Sequence, residues 1–279
     1  MNGIKVKFWG VRGSIPAPGP STQGVGGNTS CVELRLDDQV LVLDAGTGAL
    51  GLGRELAKEG VTPASVLFSH VHWDHIQGFP YFAPAAQGGR QLVLFGERKD
   101  GAGIDDILVE QARQAQAPLV PAKGGAEVVF EALKASDQFE LAGAQIKTVP
   151  LNHPDGCVGY RVDFEGASLL YATDTEHLEG QVDAALVEAA RDVDVLIYDA
   201  MYTEKEYLGA VGPSKKGWGH STWQAGVEVA KAANARRLIL FHHEPSHDDE
   251  CVAQIESSAQ KDFPQAVAAR EGLSIDLIG

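Results

Sequence analysis

The segment Ser69-His70-Val71-His72-Trp73-Asp74-His75 follows directly on the apolar run Ala64-Ser65-Val66-Leu67-Phe68, and it restricts the fold more than any other stretch of the chain. Three imidazoles and a carboxylate within six positions are poor packing groups, because each wants a partner when buried. Val66 to Phe68 reads as a short buried strand, so the four side chains hang from the loop leaving its end. Loops on a rigid scaffold are where sites gather, and solvated turns are built from Gly, Asn, Ser and Pro instead. The common use of such a set is metal. With spacings of two, four and five, His70 and His72 can turn to one point while Asp74 and His75 turn to another, which predicts two ions rather than one.

The motif His70-x-His72-x-Asp74-His75, continued by Gln77-Gly78, resembles the HxHxDH signature of the metallo-β-lactamase-fold hydrolases. The resemblance implies an α/β (α+β) chain in a four-layer αββα sandwich. It names a superfamily and not a reaction, since lactonases, thiolesterases, nucleases and phosphodiesterases share the motif.

A chain of 279 residues buries a sizeable core, and no linker interrupts it, so residues 1–279 are expected to form one domain with a small insert at about 96–125. The insert is acidic and mixed and contains a predicted helix; a lid or a homodimer contact is the expectation for it. The Gly/Pro-rich stretch Gly10 to Gly27 is bracketed by apolar runs and reads as a long loop within the domain, serving either as tight turns or as a wall of the site. Within it, Arg12 is singled out as a phosphate contact. The net charge of −15, from 38 acidic and 23 basic residues, disfavours a grip on long nucleic acid, although metal ions would supply local positive charge. Cys31, Cys157 and Cys251 lie far apart without CxxC spacing, which points to reduced thiols and a cytoplasmic setting. Met1 to Trp9 alternates like a strand and lacks the apolar core of a signal peptide, and no run is long enough to span a bilayer.

Strands are predicted at Ile4 to Trp9, Cys31 to Leu36, Val40 to Leu43, Val66 to Phe68 and Gln91 to Phe95. A second sheet is predicted from Glu127 to Phe130, Gln145 to Val149, Tyr160 to Phe164 and Ser168 to Ala172, followed by buried strands at Val193 to Tyr198 and Arg237 to Phe241. Helices are expected at Leu50 to Glu59, Ile104 to Gln116, Ala184 to Arg191, Thr222 to Asn234 and Asp248 to Phe263. Strands followed by helices, repeated in two halves, suit two packed sheets covered on both outer faces.

Two ions need more than four side chains. Asp44-Ala45-Gly46 resembles an Asp-x-Gly turn of related hydrolases, where the aspartate braces the metal loop. His153, in Asn152-His153-Pro154, resembles the third motif of the superfamily, and Asp174 resembles the aspartate shared by both ions. Leu238-Ile239-Leu240-Phe241 runs into His242-His243, and strand period alone leaves either histidine open; the resemblance to transfer-RNA 3′-processing nucleases selects His242. His247 is expected at the surface or at a helix cap, and His177 beside the site. The implied set is His70, His72 and His153 on one ion and Asp74, His75 and His242 on the other, with Asp174 between them. Nitrogen and oxygen ligands without thiolate suit zinc, manganese or iron, with zinc first among them.

Two such ions can bind a hydroxide between them and neutralise charge in the transition state. Two aspartates and one hydroxide against two divalent ions leave the site near +1, a match for a phosphodiester. Ser221, with Gln224 three positions on, reads as a helix start. His220 just before it, together with Asp199 in Tyr198-Asp199-Ala200-Met201, resembles the histidine and acidic pair of the phosphodiesterase branch, which donates a proton to the departing alkoxide. Asp199 stands where that branch usually has glutamate. With Asp74, these two make the expected catalytic group, and the resemblance is to bacterial cyclic-nucleotide-phosphodiesterase-like proteins. The expected substrate is therefore a small phosphodiester such as a cyclic nucleotide. Transfer-RNA 3′-end cleavage, lactone or thioester hydrolysis, and a metal-containing carrier or regulatory binding protein without turnover stand as alternatives.

Overall fold

The structure, a computed structural model, describes residues 3–98, 103–114, 125–178 and 180–278. Two seven-stranded sheets face one another. The first contains β1 (Gly3–Gly10), β2 (Cys31–Leu36), β3 (Gln39–Leu43), β4 (Ser65–Leu67), β5 (Gln91–Glu97) and β6 (Glu127–Leu133) in chain order. The second contains β7 (Gln138–Leu141), β8 (Ala144–Leu151), β9 (Cys157–Phe164), β10 (Ala167–Ala172), β11 (Val195–Asp199), β12 (Leu238–Phe241) and β13 (Ala266–Ala268). The chain then returns to the first sheet as β14 (Ser274–Ile278), antiparallel to β1. Each sheet is antiparallel on one side and parallel on the other, the parallel runs being β3 to β6 and β10 to β13.

The side-chain period of two explains why the central strands are apolar throughout. Leu41, Leu43, Val195, Ile197, Ile239 and Phe241 point into the core between the sheets. Their neighbours Val40, Val42, Leu196, Leu238 and Leu240 point outwards under helices. Strands buried on both faces lose the polar half of the alternation and become continuous Val/Ile/Leu runs. On the first sheet, the outer face is covered by α1 (Ala49–Glu59) through Ala49, Leu52 and Leu56. After the short α2 (Trp73–Ile76), α3 (Ile104–Gln114) joins the same layer through Ile104 and Leu108. Beyond α4 (Ala184–Ala189) and α5 (Glu204–Tyr207), the outer face of the second sheet is covered by α6 (Trp223–Ala232) and α7 (Asp249–Asp262). This is the αββα sandwich.

Several expectations need correction. Glu127 to Phe130 belongs to the first sheet, as its edge beside β5, and not to the second; a parallel edge strand and the start of a new sheet have the same local pattern. β7, β13 and β14 were not expected, and the chain ends in a strand rather than a helix. The helix in the insert packs its apolar face on the first sheet and so joins the outer layer; residues 99–102 and 115–124 of the insert, with the predicted helix end at Gln116, lie outside the described residues. The cap of α6 is Thr222, whose hydroxyl accepts from the Ala225 amide, whereas Ser221 turns inwards to the Tyr198 hydroxyl at 2.9 Å. Among the described residues no helix is long and apolar enough to cross a membrane.

Candidate metal centre

The ends of the parallel strands meet at one edge of the sandwich. Asp44 follows β3, the His70 to His75 loop follows β4, Asp174 follows β10, Asp199 ends β11 and His242 follows β12. In open parallel sheets the carboxyl ends of the strands form the binding crevice. Asp44, Asp174 and His242 all have left-handed backbones, with φ of 58°, 53° and 62°. A left-handed turn is costly for a residue with a Cβ and tends to persist where a site over-determines it. Here it breaks the strand alternation and turns Asp174 and His242 into the cleft and Asp44 beneath it.

Among the described residues three sets of donors lie close enough to hold an ion; two of them take in the seven expected ligands, and the third joins Asp174 and His242 to His220. His70, His72, His153 and Asp174 offer one donor atom each within 4.8 Å of one another. In the second group, His75 Nε2, His242 Nε2 and an Asp74 oxygen lie 3.2–3.3 Å apart, and an Asp174 oxygen lies 3.2 Å from His75 Nε2 and 3.3 Å from His242 Nε2. A tetrahedron with metal–ligand bonds of about 2.0 Å has edges of about 3.3 Å, so this spacing fits a zinc-sized ion. The two Asp174 oxygens divide their contacts: one faces His75 and His242, the other lies 3.6 Å from His70 Nε2. His70 Nε2 is buried without a hydrogen-bond partner, an orphan that a cation satisfies.

Electrostatics agree. Burial first, then neighbouring imidazoles, push the His70 ring well below its ordinary pKa, and burial lowers His72 and His153, leaving lone pairs free for a Lewis acid. Burial disfavours charge on Asp74 and Asp174, but the surrounding imidazoles outweigh it and hold both carboxyls well below the usual range. His75 is raised well above its ordinary value against the cost of burial, because Asp174, Asp74 and Asp44 surround it. These surroundings attract positive charge, which a divalent ion supplies. Cys157 Sγ lies 3.7 Å from His70 Nδ1, yet burial pushes its thiol well up and keeps it neutral, so the donor set is nitrogen and oxygen. The cluster is a divalent-metal site.

Asp44 sits beneath it, fully buried. One oxygen accepts from the Ser69 amide at 2.7 Å; the other accepts from the Ser69 hydroxyl, His75 Nδ1 and the Tyr171 hydroxyl at 2.7–2.8 Å. With Nδ1–H donated to Asp44, His75 presents Nε2 to the cleft. Ser69 and Tyr171 escaped the sequence reading, and an isolated serine or core tyrosine carries no signal for such a role.

Above the cluster, His220 Nδ1 lies 2.8 Å from an Asp199 oxygen and 3.9 Å from Asp174. The shorter reach of aspartate suffices, because Asp199 is at the strand end with its other oxygen accepting from the Met201 amide. Burial works against charge on His220, but Asp199, Asp174 and Asp74 outweigh it and raise its pKa to about 9. His220, Trp218, Trp73 and Ser14 complete the lining of a cavity of about 310 Å³ over the donors. The Ser14 amide donates to Asp74 at 2.8 Å, so the Gly10 to Gly27 loop is a wall of the site.

Arg12 is corrected from a phosphate contact to a structural residue. It is fully buried, and its guanidinium donates to the carbonyls of Gly26, Glu244 and His247, which ties the long loop to the segment after His242. A guanidinium enclosed by backbone carbonyls is not available to a ligand. His247 is likewise buried rather than superficial, with Nε2 2.8 Å from Glu206. His243 points away from the donors, with Nε2 3.0 Å from the Ala269 carbonyl, while His242 joins them. His177 lies beside the site, its Nδ1 3.3 Å from the Ser221 hydroxyl.

Comparison with known proteins places this geometry in a family. Residues 39–243 match the β-lactamase superfamily domain. Ribonuclease Z of Prochlorococcus marinus (strain NATL1A) is 32% identical over 273 residues, covering 76% of this chain and 81% of that protein. Ribonuclease Z of Bacillus subtilis (strain 168) is 25% identical over 328 aligned residues, covering 98% and 99%; the alignment is longer than this 279-residue chain, so that relative carries segments without a counterpart here. The crystal structure of the metallo-β-lactamase-fold protein YhfI from Bacillus subtilis superposes with a TM-score of 0.75 over 99% of this chain and 100% of that one, at 20% identity. The chain belongs to the β-lactamase superfamily, in its metal-dependent phosphodiesterase branch.

Proposed function

We propose that the protein hydrolyses a nucleotide phosphodiester at a dinuclear centre, with zinc the metal that suits the donors. The observation that carries this reading is the His220–Asp199 pair, 2.8 Å apart, on the rim of a cavity floored by metal donors. His70, His72 and His153 would hold one ion, Asp74, His75 and His242 the other, with Asp174 contributing one oxygen to each. When bound, the ions supply Lewis acidity toward the phosphoryl oxygens and a water nucleophile at neutral pH. The chain's own residues do the rest. Asp44 orients His75, the Ser14 amide fixes Asp74, and Asp199 holds the His220 Nδ1 proton, which leaves Nε2 toward the cavity as the donor to the departing alkoxide. A thioester, whose thiolate leaves without a proton, needs no such pair.

Two sizes of substrate have support. The relatives' name, Ribonuclease Z, favours an RNA, for which the 3′ end of a precursor transfer RNA is the expected case. The charge of −15 and the missing segments relative to those proteins favour a short or cyclic nucleotide. The metal-loaded protein should be assayed on bis(p-nitrophenyl) phosphate, 3′,5′-cyclic nucleotides and precursor transfer RNA, each with and without chelator. Absence of metal-dependent turnover on all three overturns the reading. Turnover of the RNA with a steep fall at rising salt assigns the larger substrate, and turnover of the small ones alone assigns the smaller.

A further inference from the structure

Two tryptophans border the cavity over the metal donors and remain in water: Trp73 is 60% exposed and Trp218 is 52% exposed. Exposing an indole forfeits the hydrophobic stabilisation that burial would give, so two on the rim of one polar cavity ask for an occupant. The backbone that carries Trp218 is also held in place. The amides of Gly217 and Gly219, on either side of it, donate to the two carboxylate oxygens of Glu176 at 2.7 and 2.8 Å. Both glycines have left-handed backbones, φ 79° and 84°, and a Cβ on Gly219 would lie 2.2 Å from His153 Nδ1. Lys215 Nζ sits 4.0 Å from the Trp218 ring centroid. The residue after Gly219 is His220, whose proton goes to the leaving group in the reaction proposed above.

We propose that Trp218 is the stacking platform for the nucleobase on the leaving side of the scissile phosphodiester, with Trp73 a second aromatic wall on the same rim. The inference deepens the proposed function and rests on it for the phosphodiester. The base is argued separately, from a half-exposed indole on a fixed backbone beside a metal cavity. Stacking on such a ring accepts any base and is worth roughly fivefold to a hundredfold in affinity. The Lys215 ammonium against the same ring adds charge that suits a nucleotide phosphate. In an acidic protein this gives nucleotide affinity without a broad basic surface.

The test compares a dinucleoside monophosphate with its counterpart bearing abasic ribose on the leaving side. The metal-loaded native enzyme should prefer the former by about tenfold in kcat/KM, mainly through KM. Trp218→Ala should bring that ratio close to one, and Trp218→Phe should keep most of it. A binding measurement stands apart from turnover: adenosine 5′-monophosphate should quench the protein's tryptophan fluorescence, ribose 5-phosphate should not, and Trp218→Ala should lose the response. Equal losses on both substrates, an unchanged ratio, or a changed oligomeric state with the ratio intact overturns the platform. If no dinucleotide is cleaved, the reaction fails while the fluorescence result still decides the platform, and quenching retained in Trp218→Ala overturns it.

Discussion

His220 Nδ1 and an Asp199 carboxylate oxygen lie 2.8 Å apart at the rim of the metal cavity, and both residues are buried. Because Asp199 is fixed by the Met201 amide, the imidazole has one orientation and one free nitrogen. His220→Ala should lower kcat by about 10²- to 10⁴-fold while leaving metal content unchanged, as metal analysis of the same sample would verify. In the proposed mechanism the protonated ring is the active form. Burial opposes that form and Asp199 favours it, so removing the carboxylate charge lowers the His220 pKa from its value of about 9. In Asp199→Asn the loss of activity on the alkaline side should therefore begin at lower pH than in the native enzyme.

Asp44 satisfies the Ser69 amide and hydroxyl, His75 Nδ1 and the Tyr171 hydroxyl from one buried carboxylate. Asp44→Ala strands these groups and frees the His75 ring. Metal affinity should fall about 10- to 100-fold, read by competition with a chelating dye, and unfolding free energy should fall by about 2 kcal/mol or more.

Arg12 links the carbonyls of Gly26, Glu244 and His247. Arg12→Ala leaves three carbonyls without their donor and a cavity in place of the side chain, so it should cost about 3 kcal/mol in denaturant unfolding. A phosphate-contacting arginine would show the opposite pattern, intact stability with raised KM.

His243 is neutral in the folded protein, since burial pulls its pKa down to about 3, from an ordinary value of 6.5. The unfolded chain takes up a proton there first as the pH falls, so the stabilising contribution of the neutral ring is complete above pH 6.5 and is lost progressively toward pH 3. With chelator present throughout, the native protein should lose stability between pH 6.5 and pH 4 more steeply than His243→Gln, as measured by urea midpoints.

The proposed ligand set, two groups of donors sharing Asp174, predicts two ions per chain. Elemental analysis after dialysis against zinc should give two, and Asp174→Ala should weaken both sites together, whereas His153→Ala should affect one. Metal at about 100 times its dissociation constant should add about 2.7 kcal/mol of stability per site.

Much of this protein was legible along the chain. The loop His70 to His75 advertised metal because no packing or solvation argument accounts for four such side chains in six positions, and the both-faces-apolar strands such as Leu238 to Phe241 marked a sandwich buried on two sides. The choice between His242 and His243 was not local. It depends on a left-handed turn after Phe241, which sends one ring to the donors and the other to the Ala269 carbonyl. The same holds for Glu127 to Leu133, whose sheet is decided by the partner strand and not by its own pattern.

Arg12 shows the limit most clearly. As a sequence feature, a lone arginine in a glycine-rich loop looks like a ligand contact, and only the fold reveals three carbonyls brought around it from both ends of the chain. Trp218 is the reverse case, an indole with no signal in the sequence that becomes informative once Glu176 and His220 are seen beside it. The sequence by itself determined the chemistry of the donors and the layers of the sandwich, because ligand type and side-chain period are properties of neighbouring residues. Tertiary structure alone decided how the donors are spaced, which charges are enclosed and which aromatic rings stay exposed, because these depend on distances between residues far apart in the chain.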